Sequence, residues 1–114
     1  MESKITLINK CGTFSLSYEA TELLNVQNKD LVNFHIQDGE VYIYKCLSSG
    51  FRLRVVSGSS NLCFNNIDYY NKISGLLAKI ALDSKSVTVD IIEEPVEIEG
   101  VFKEGYLLDL NLNY

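Results

Sequence analysis

The stretch Leu31-Val32-Asn33-Phe34-His35-Ile36-Gln37-Asp38-Gly39-Glu40-Val41-Tyr42-Ile43-Tyr44-Lys45 decides the fold. Two alternating apolar runs flank Asp38-Gly39, and a type I′ hairpin turn needs positive φ at both of its central residues, which Asp-Gly tolerates. The two-residue loop sets the register. Gln37 then pairs with Glu40, Ile36 with Val41, His35 with Tyr42, Phe34 with Ile43 and Asn33 with Tyr44. Val32, Phe34, Ile36, Val41 and Ile43 share one face and form a candidate core, whereas Asn33, His35, Tyr42 and Tyr44 share the other. His35 is read as a surface or interface residue beside Tyr42, because no acid or nucleophile is placed by the sequence to work with it.

Upstream of the hairpin, Ile5 to Ile8 is short, apolar and β-branched, and Lys10-Cys11-Gly12 breaks it before a second extended stretch, Thr13 to Leu16. Ser17 opens a helix of about two turns, since its hydroxyl can accept an unpaired backbone N–H and Glu19 and Glu22 suit the positive end of the helix dipole. Ala20, Leu23 and Leu24 form its apolar stripe, which stops at Asn25. Ile5, Leu7, Leu16 and Leu24 join the hairpin residues in the expected core.

The order strand, glycine turn, strand, short helix, hairpin resembles the AbrB/MazE-type swapped-hairpin domain over residues 4–46. Gly12, Phe14, Leu16, Glu19, Ala20, Glu22, Leu24, Val26, Asp30 and Val32 match that family's pattern in register and without a gap. The resemblance implies a β-rich barrel in which two units interleave, and DNA contacted by basic residues in the glycine turn and near the helix start. Here Thr13, Tyr18 and Thr21 stand where the family carries Arg or Lys, and Ser17 replaces Pro. Phosphate contact therefore falls to Lys4 and Lys10, with Arg52 and Arg54 after the hairpin, as the expected DNA-binding residues.

The second part of the chain repeats the theme. Leu62-Cys63-Phe64-Asn65 corresponds to Phe14-Ser15-Leu16-Ser17 at an offset of 48. A helix from Asn66 to Ala81 is predicted from Ile67, Tyr70, Ile73, Leu77 and Ile80, capped by Asn65 or Asn66, with Asp68 in its first turn. Val87 to Ile92 and Val96 to Glu99 read as strands around Glu93-Glu94-Pro95, followed by an extended stretch from Tyr106 to Leu112. The expected fold is α+β, mostly β with two helices. It comprises a swapped-hairpin unit over residues 1–47, a connection over 48–61 and a divergent, acidic strand-helix-hairpin unit over 62–114. Two such units in one chain suggest a tandem pseudo-dimer. The alternative is a homodimer in which the first unit swaps with another chain.

Composition narrows the function. A chain of 114 residues with 46% hydrophobic and 22% charged residues is long enough to bury a core without staples, and it is too short for a multi-domain enzyme. The net charge of −5 lies wholly in the second half. Residues 1–57 carry six Lys/Arg against six acids, and residues 58–114 carry four against nine. Cys11, Cys46 and Cys63 are odd in number and form no CxxC pair, so they read as reduced thiols rather than a zinc site or disulfide framework. The acids of Val96-Glu97-Ile98-Glu99 read as a solvated face, not a metal site. No apolar run approaches the ~20 residues of a membrane span, and no secretory signal pattern opens the chain, so a cytoplasmic protein is expected. Neither cofactor nor catalytic residues are expected. The resemblance implies a small non-enzymatic DNA-binding transcription regulator or antitoxin-like protein acting on double-stranded DNA, as a homo-oligomer or with a protein partner. The missing cations and acidic charge support an alternative, an acidic protein-binding or assembly module on the same fold.

Overall fold

The computed structural model describes residues 3–8, 12–56, 58, 60–76 and 86–110. The chain forms β1 (Lys4–Ile8), β2 (Thr13–Leu16), α1 (Tyr18–Leu24), β3 (Leu31–Gln37), β4 (Glu40–Cys46), β5 (Phe51–Arg52), β6 (Arg54–Val55), β7 (Leu62–Asn65), α2 (Ile67–Leu76), β8 (Ser86–Ile91), β9 (Val96–Ile98) and β10 (Phe102–Asp109). All strand pairs are antiparallel, in the order β5-β3-β4-β10-β8-β1-β2-β7-β6. Leu53 alone separates the strands at the two ends of that path, and it is 1% exposed. Its N–H donates to the Asp30 carbonyl and its carbonyl accepts from the Lys29 N–H, so the sheet curls into a nearly closed barrel.

Local chemistry accounts for the elements. The Ser17 hydroxyl accepts from Ala20 N–H and from Lys4 N–H, capping α1 and tying it to β1, and Asn25 ends the helix in the left-handed region. The β3–β4 hairpin has the expected register from Gln37↔Glu40 to Asn33↔Tyr44, with Asp38 and Gly39 both at positive φ. Inward-facing residues fill the barrel. Ile5, Leu7, Leu16, Leu24, Val32, Phe34, Val41 and Ile43 are buried as expected, whereas Ile36 near the hairpin tip is half-buried. The centre is aromatic: Phe14 stacks on Phe64 at 5.0 Å and tilts against Phe34 at 5.1 Å, and Phe51 stacks on Phe64 at 5.4 Å. Such pairs add about 0.5–1.5 kcal/mol each beyond area burial.

Several expectations change. The predicted connection over 48–61 contains β5 and β6, because Leu53 and Phe51 have apolar side chains that complete the core. In α2, Ile73 is buried but Ile67 is 53% exposed, so the stripe is narrower than its spacing implies. Leu77, Ile80 and the rest of that predicted helix lie outside the described residues. Asn66 is the cap of α2, its Oδ1 accepting from Tyr69 N–H. The last strand begins at Phe102 rather than Tyr106, and both β8 and β9 pair with it.

The pairing registers of the two parts are related by exchange. Thr6↔Ser15 and Arg54↔Cys63 differ by 48 on both strands, and Lys4↔Asp90 corresponds to Arg52↔Leu31. In the β4–β10 pair, Tyr42↔Leu107 and Tyr44↔Gly105 flank Ile43↔Tyr106 symmetrically. In the β2–β7 pair, Phe14↔Phe64 and Leu16↔Leu62 flank Ser15↔Cys63 in the same way. In register, β1 corresponds to residues 51–55, β2 to β7 and β4 to β10, whereas β3 and β8 correspond at Leu31 and Val32 with Asp90 and Ile91.

Candidate nucleic-acid interface

Lys4 and Arg54 lie on the outside of the barrel wall formed by β1, β2, β7 and β6, whereas Arg52 lies on β5 beside β3, and Lys10 lies outside the described residues. Thr6, Ser15, Cys63 and Arg54 form one row across that wall. With strands about 4.8 Å apart, Thr6 and Arg54 are rooted about 14 Å from each other. Lys4 shares the face of Thr6 by strand alternation, and the inward burial of Leu53 turns Arg52 and Arg54 outward on the far edge.

Their electrostatic situations differ. The Lys4 ammonium lies 2.6 Å from Asp90 Oδ1, with both side chains substantially exposed. Such a pair contributes at most about 1 kcal/mol to stability, yet it cancels the lysine's charge locally. Arg52 spends one N–H on the Lys29 carbonyl at 2.9 Å, leaving its remaining donors for solvent or ligand. Arg54 is exposed, and among the described residues it has no carboxylate partner.

Sequence reasoning missed a second feature, an aromatic cleft on the outer face of β3, β4 and β10. The ring of Phe102 lies 4.8 Å from Tyr44, 5.9 Å from His35 and 6.0 Å from Tyr42. His35 and Tyr42 are 6.2 Å apart, and the imidazole Nε2 is 3.1 Å from Gln37 Oε1. Gly105 makes room for Phe102, since a Cβ there would fall 2.5 Å from the ring. Beyond Tyr44 the paired registers of β4 and β10 end, and the strands diverge around a cavity of about 700 Å³ bordered by Tyr44, Cys46, Leu47, Ile98, Val101 and Phe102. Leu47 stands 94% exposed at its rim. Burial raises the Tyr44 phenol above its ordinary value and likewise the Cys46 thiol, so both are protonated and the thiol is a poor nucleophile at neutral pH. No sequence signal marks this cleft, because Phe102 meets the hairpin only through tertiary pairing.

Cys63 is buried and Cys46 half-buried, both as free thiols, and Cys11 lies outside the described residues. Among the described residues no group of three or more His, Cys, Asp or Glu side chains is arranged to hold a metal ion, and no described helix is long and apolar enough to cross a membrane. Compared with protein-family models, curated proteins and solved structures, the chain matches none of them.

Proposed function

We propose that this chain is a small non-enzymatic DNA-binding regulator of the antitoxin-like kind, working in the cytoplasm on a tandem swapped-hairpin barrel of AbrB/MazE type. The observation that carries the reading is the exchange relation between the halves, which gives Lys4 and Arg52 equivalent registers in the two halves. Both units of the pseudo-dimer then come from a single chain. Cations presented from that wall would bind duplex phosphates, and counterion release would supply most of the affinity. The test is a salt titration of binding to random and promoter-like duplexes. Each cation among Lys4, Lys10, Arg52 and Arg54 that neutralises a phosphate contributes about −0.9 to the slope of log K against log[salt], so the slope reaches about −3.6 when all four engage.

The aromatic cleft favours a second reading, an acidic protein-binding or assembly module. Exposed Leu47 and the Tyr44–Phe102 pair are the kind of apolar and aromatic surface that protein interfaces use. Failure to bind any duplex at low salt, where attraction is strongest, leaves this reading in place of the first.

A further inference from the structure

The two edges of the outer wall are equivalent in register but opposite in charge. On the β1 edge, Lys4 faces Asp90, Thr6 faces Thr88 across a 3.0 Å hydroxyl contact, and Glu93 accepts from Ser3. Among the described residues, one cation and two carboxylates make this edge net negative. Exchanging the halves turns Lys4 into Arg52, Thr6 into Arg54 and Asp90 into Leu31. The carboxylate that cancels Lys4 therefore has an apolar counterpart beside Arg52. Lys29 adds a further cation where Arg52 hydrogen-bonds its carbonyl, and the nearby Asp30 carboxylate lies 3.9 Å from Lys45. Arg52 and Arg54 flank the inward-anchored Leu53, so their side chains leave the strand about 6.7 Å apart on one face. A pair of guanidiniums rooted on one strand face, each with a planar fork of donors, suits successive phosphates on one strand better than a single ammonium does.

We propose that duplex phosphates are held by the Arg52–Arg54 edge alone, the Lys4 edge being silenced by Asp90. The pseudo-symmetric barrel thus grips DNA asymmetrically, and an inverted repeat offers it no second foothold. This inference rests on the DNA-binding reading above and sharpens it.

The experiment is a fluorescence anisotropy titration of the full chain against a labelled random-sequence duplex of about thirty base pairs, repeated across a salt series. Arg52→Gln and Arg54→Gln should each flatten the slope of log K against log[salt] by about 0.9, whereas Lys4→Gln should leave it unchanged. Arg52→Lys, which keeps the charge, should retain the wild-type slope. Matching thermal midpoints show that these surface variants remain folded. A loss of slope in Lys4→Gln equal to that in Arg52→Gln overturns the asymmetric grip while leaving DNA binding intact. Absence of wild-type binding at low salt overturns the DNA-binding reading itself, and this inference with it.

Discussion

Ser15 and Cys63 stand opposite each other in the β2–β7 pair, both buried, and their pairings with Thr6 and Arg54 match at an offset of 48 residues. A register centred on one residue pair is the pairing that an internal two-fold relation between the halves would produce. Ile43 and Tyr106 mark a second such point on the far side of the barrel. Between these points every strand of one half borders a strand of the other or a neighbour from its own hairpin. The halves consequently close one core.

Replacing Phe34 by Ala tests that core at its centre. Phe34 is 3% exposed and contacts the rings of Phe14, Phe51, Phe64 and Tyr69, which come from four different elements of both halves. Loss of the ring should cost about 3–5 kcal/mol. Urea denaturation reads this as a fall in midpoint at unchanged slope, and a loss below ~1 kcal/mol would place Phe34 outside the cooperative core.

Gly12→Ala probes the junction between units. Gly12 has φ +59°, and a Cβ there would meet the Ile67 Cα at 2.7 Å, where the Gly12 carbonyl accepts from Asn66 N–H at the start of α2. Backbone stands against backbone, so neither side chain nor rotamer can relieve the clash. The variant should lose at least ~2 kcal/mol from left-handed strain plus overpacking. Gly39→Ala is the control, since Gly39 also has positive φ but open space around it; the difference between the two variants isolates the contact.

The sequence discloses the elements whose signals are local. Asp38-Gly39 settles the hairpin register because the turn's geometry demands those residues, and Ser17 places α1 because its hydroxyl is needed by the helix's own N–H groups. Residues 51–55 stayed hidden for the opposite reason. Five residues between serine-glycine stretches carry no alternation long enough to read, and they are strand only because β3 and β7 each offer an edge. Phe102 was equally illegible. The sequence reads as strand only from Tyr106, because the pairing of Phe102 and Gly105 with β9, and of Gly105 with β4, is tertiary. The cations were visible as residue types, but the neutralisation of Lys4 by Asp90 depends on a pairing 86 residues apart.

Alkaline pH should weaken the fold in two steps. Burial raises the Cys46 thiol above its ordinary 9.0, and the Tyr44 and Tyr106 phenols above 10.0, with the Glu104 charge adding to Tyr106. The unfolded chain releases these protons first. The stability these three groups contribute is therefore fully present below about pH 8 and falls as pH rises through the unfolded values toward the folded ones. Urea midpoints measured between about pH 8 and pH 10.5 should decline, and Cys46→Ser should delay the onset of that decline. A midpoint that is flat across the range would mean these groups reach water in the folded state.

Severing the chain after Gly50 tests the internal two-fold directly. Fragment 1–50 retains β1 to β4 but loses β7, which pairs with β2, and β8, which pairs with β1. It also loses residues 51–55 beside β3 and β10 beside β4. Four strands would then expose apolar edges and the inward faces of Ile5, Phe14, Val32 and Phe34, which no monomeric arrangement can cover. A second copy could replace each lost strand, because residues 51–55, β7, β8 and β10 are the exchange counterparts of β1, β2, β3 and β4. Ser15 would then pair with Ser15 of the other copy and Ile43 with Ile43. The fragment should be unfolded when dilute and fold only as a dimer, with a thermal midpoint that rises with concentration. Circular dichroism melts over a hundredfold concentration range, with sedimentation at each end, make the measurement. A cooperative, concentration-independent melt of a monomeric fragment would refute the shared core.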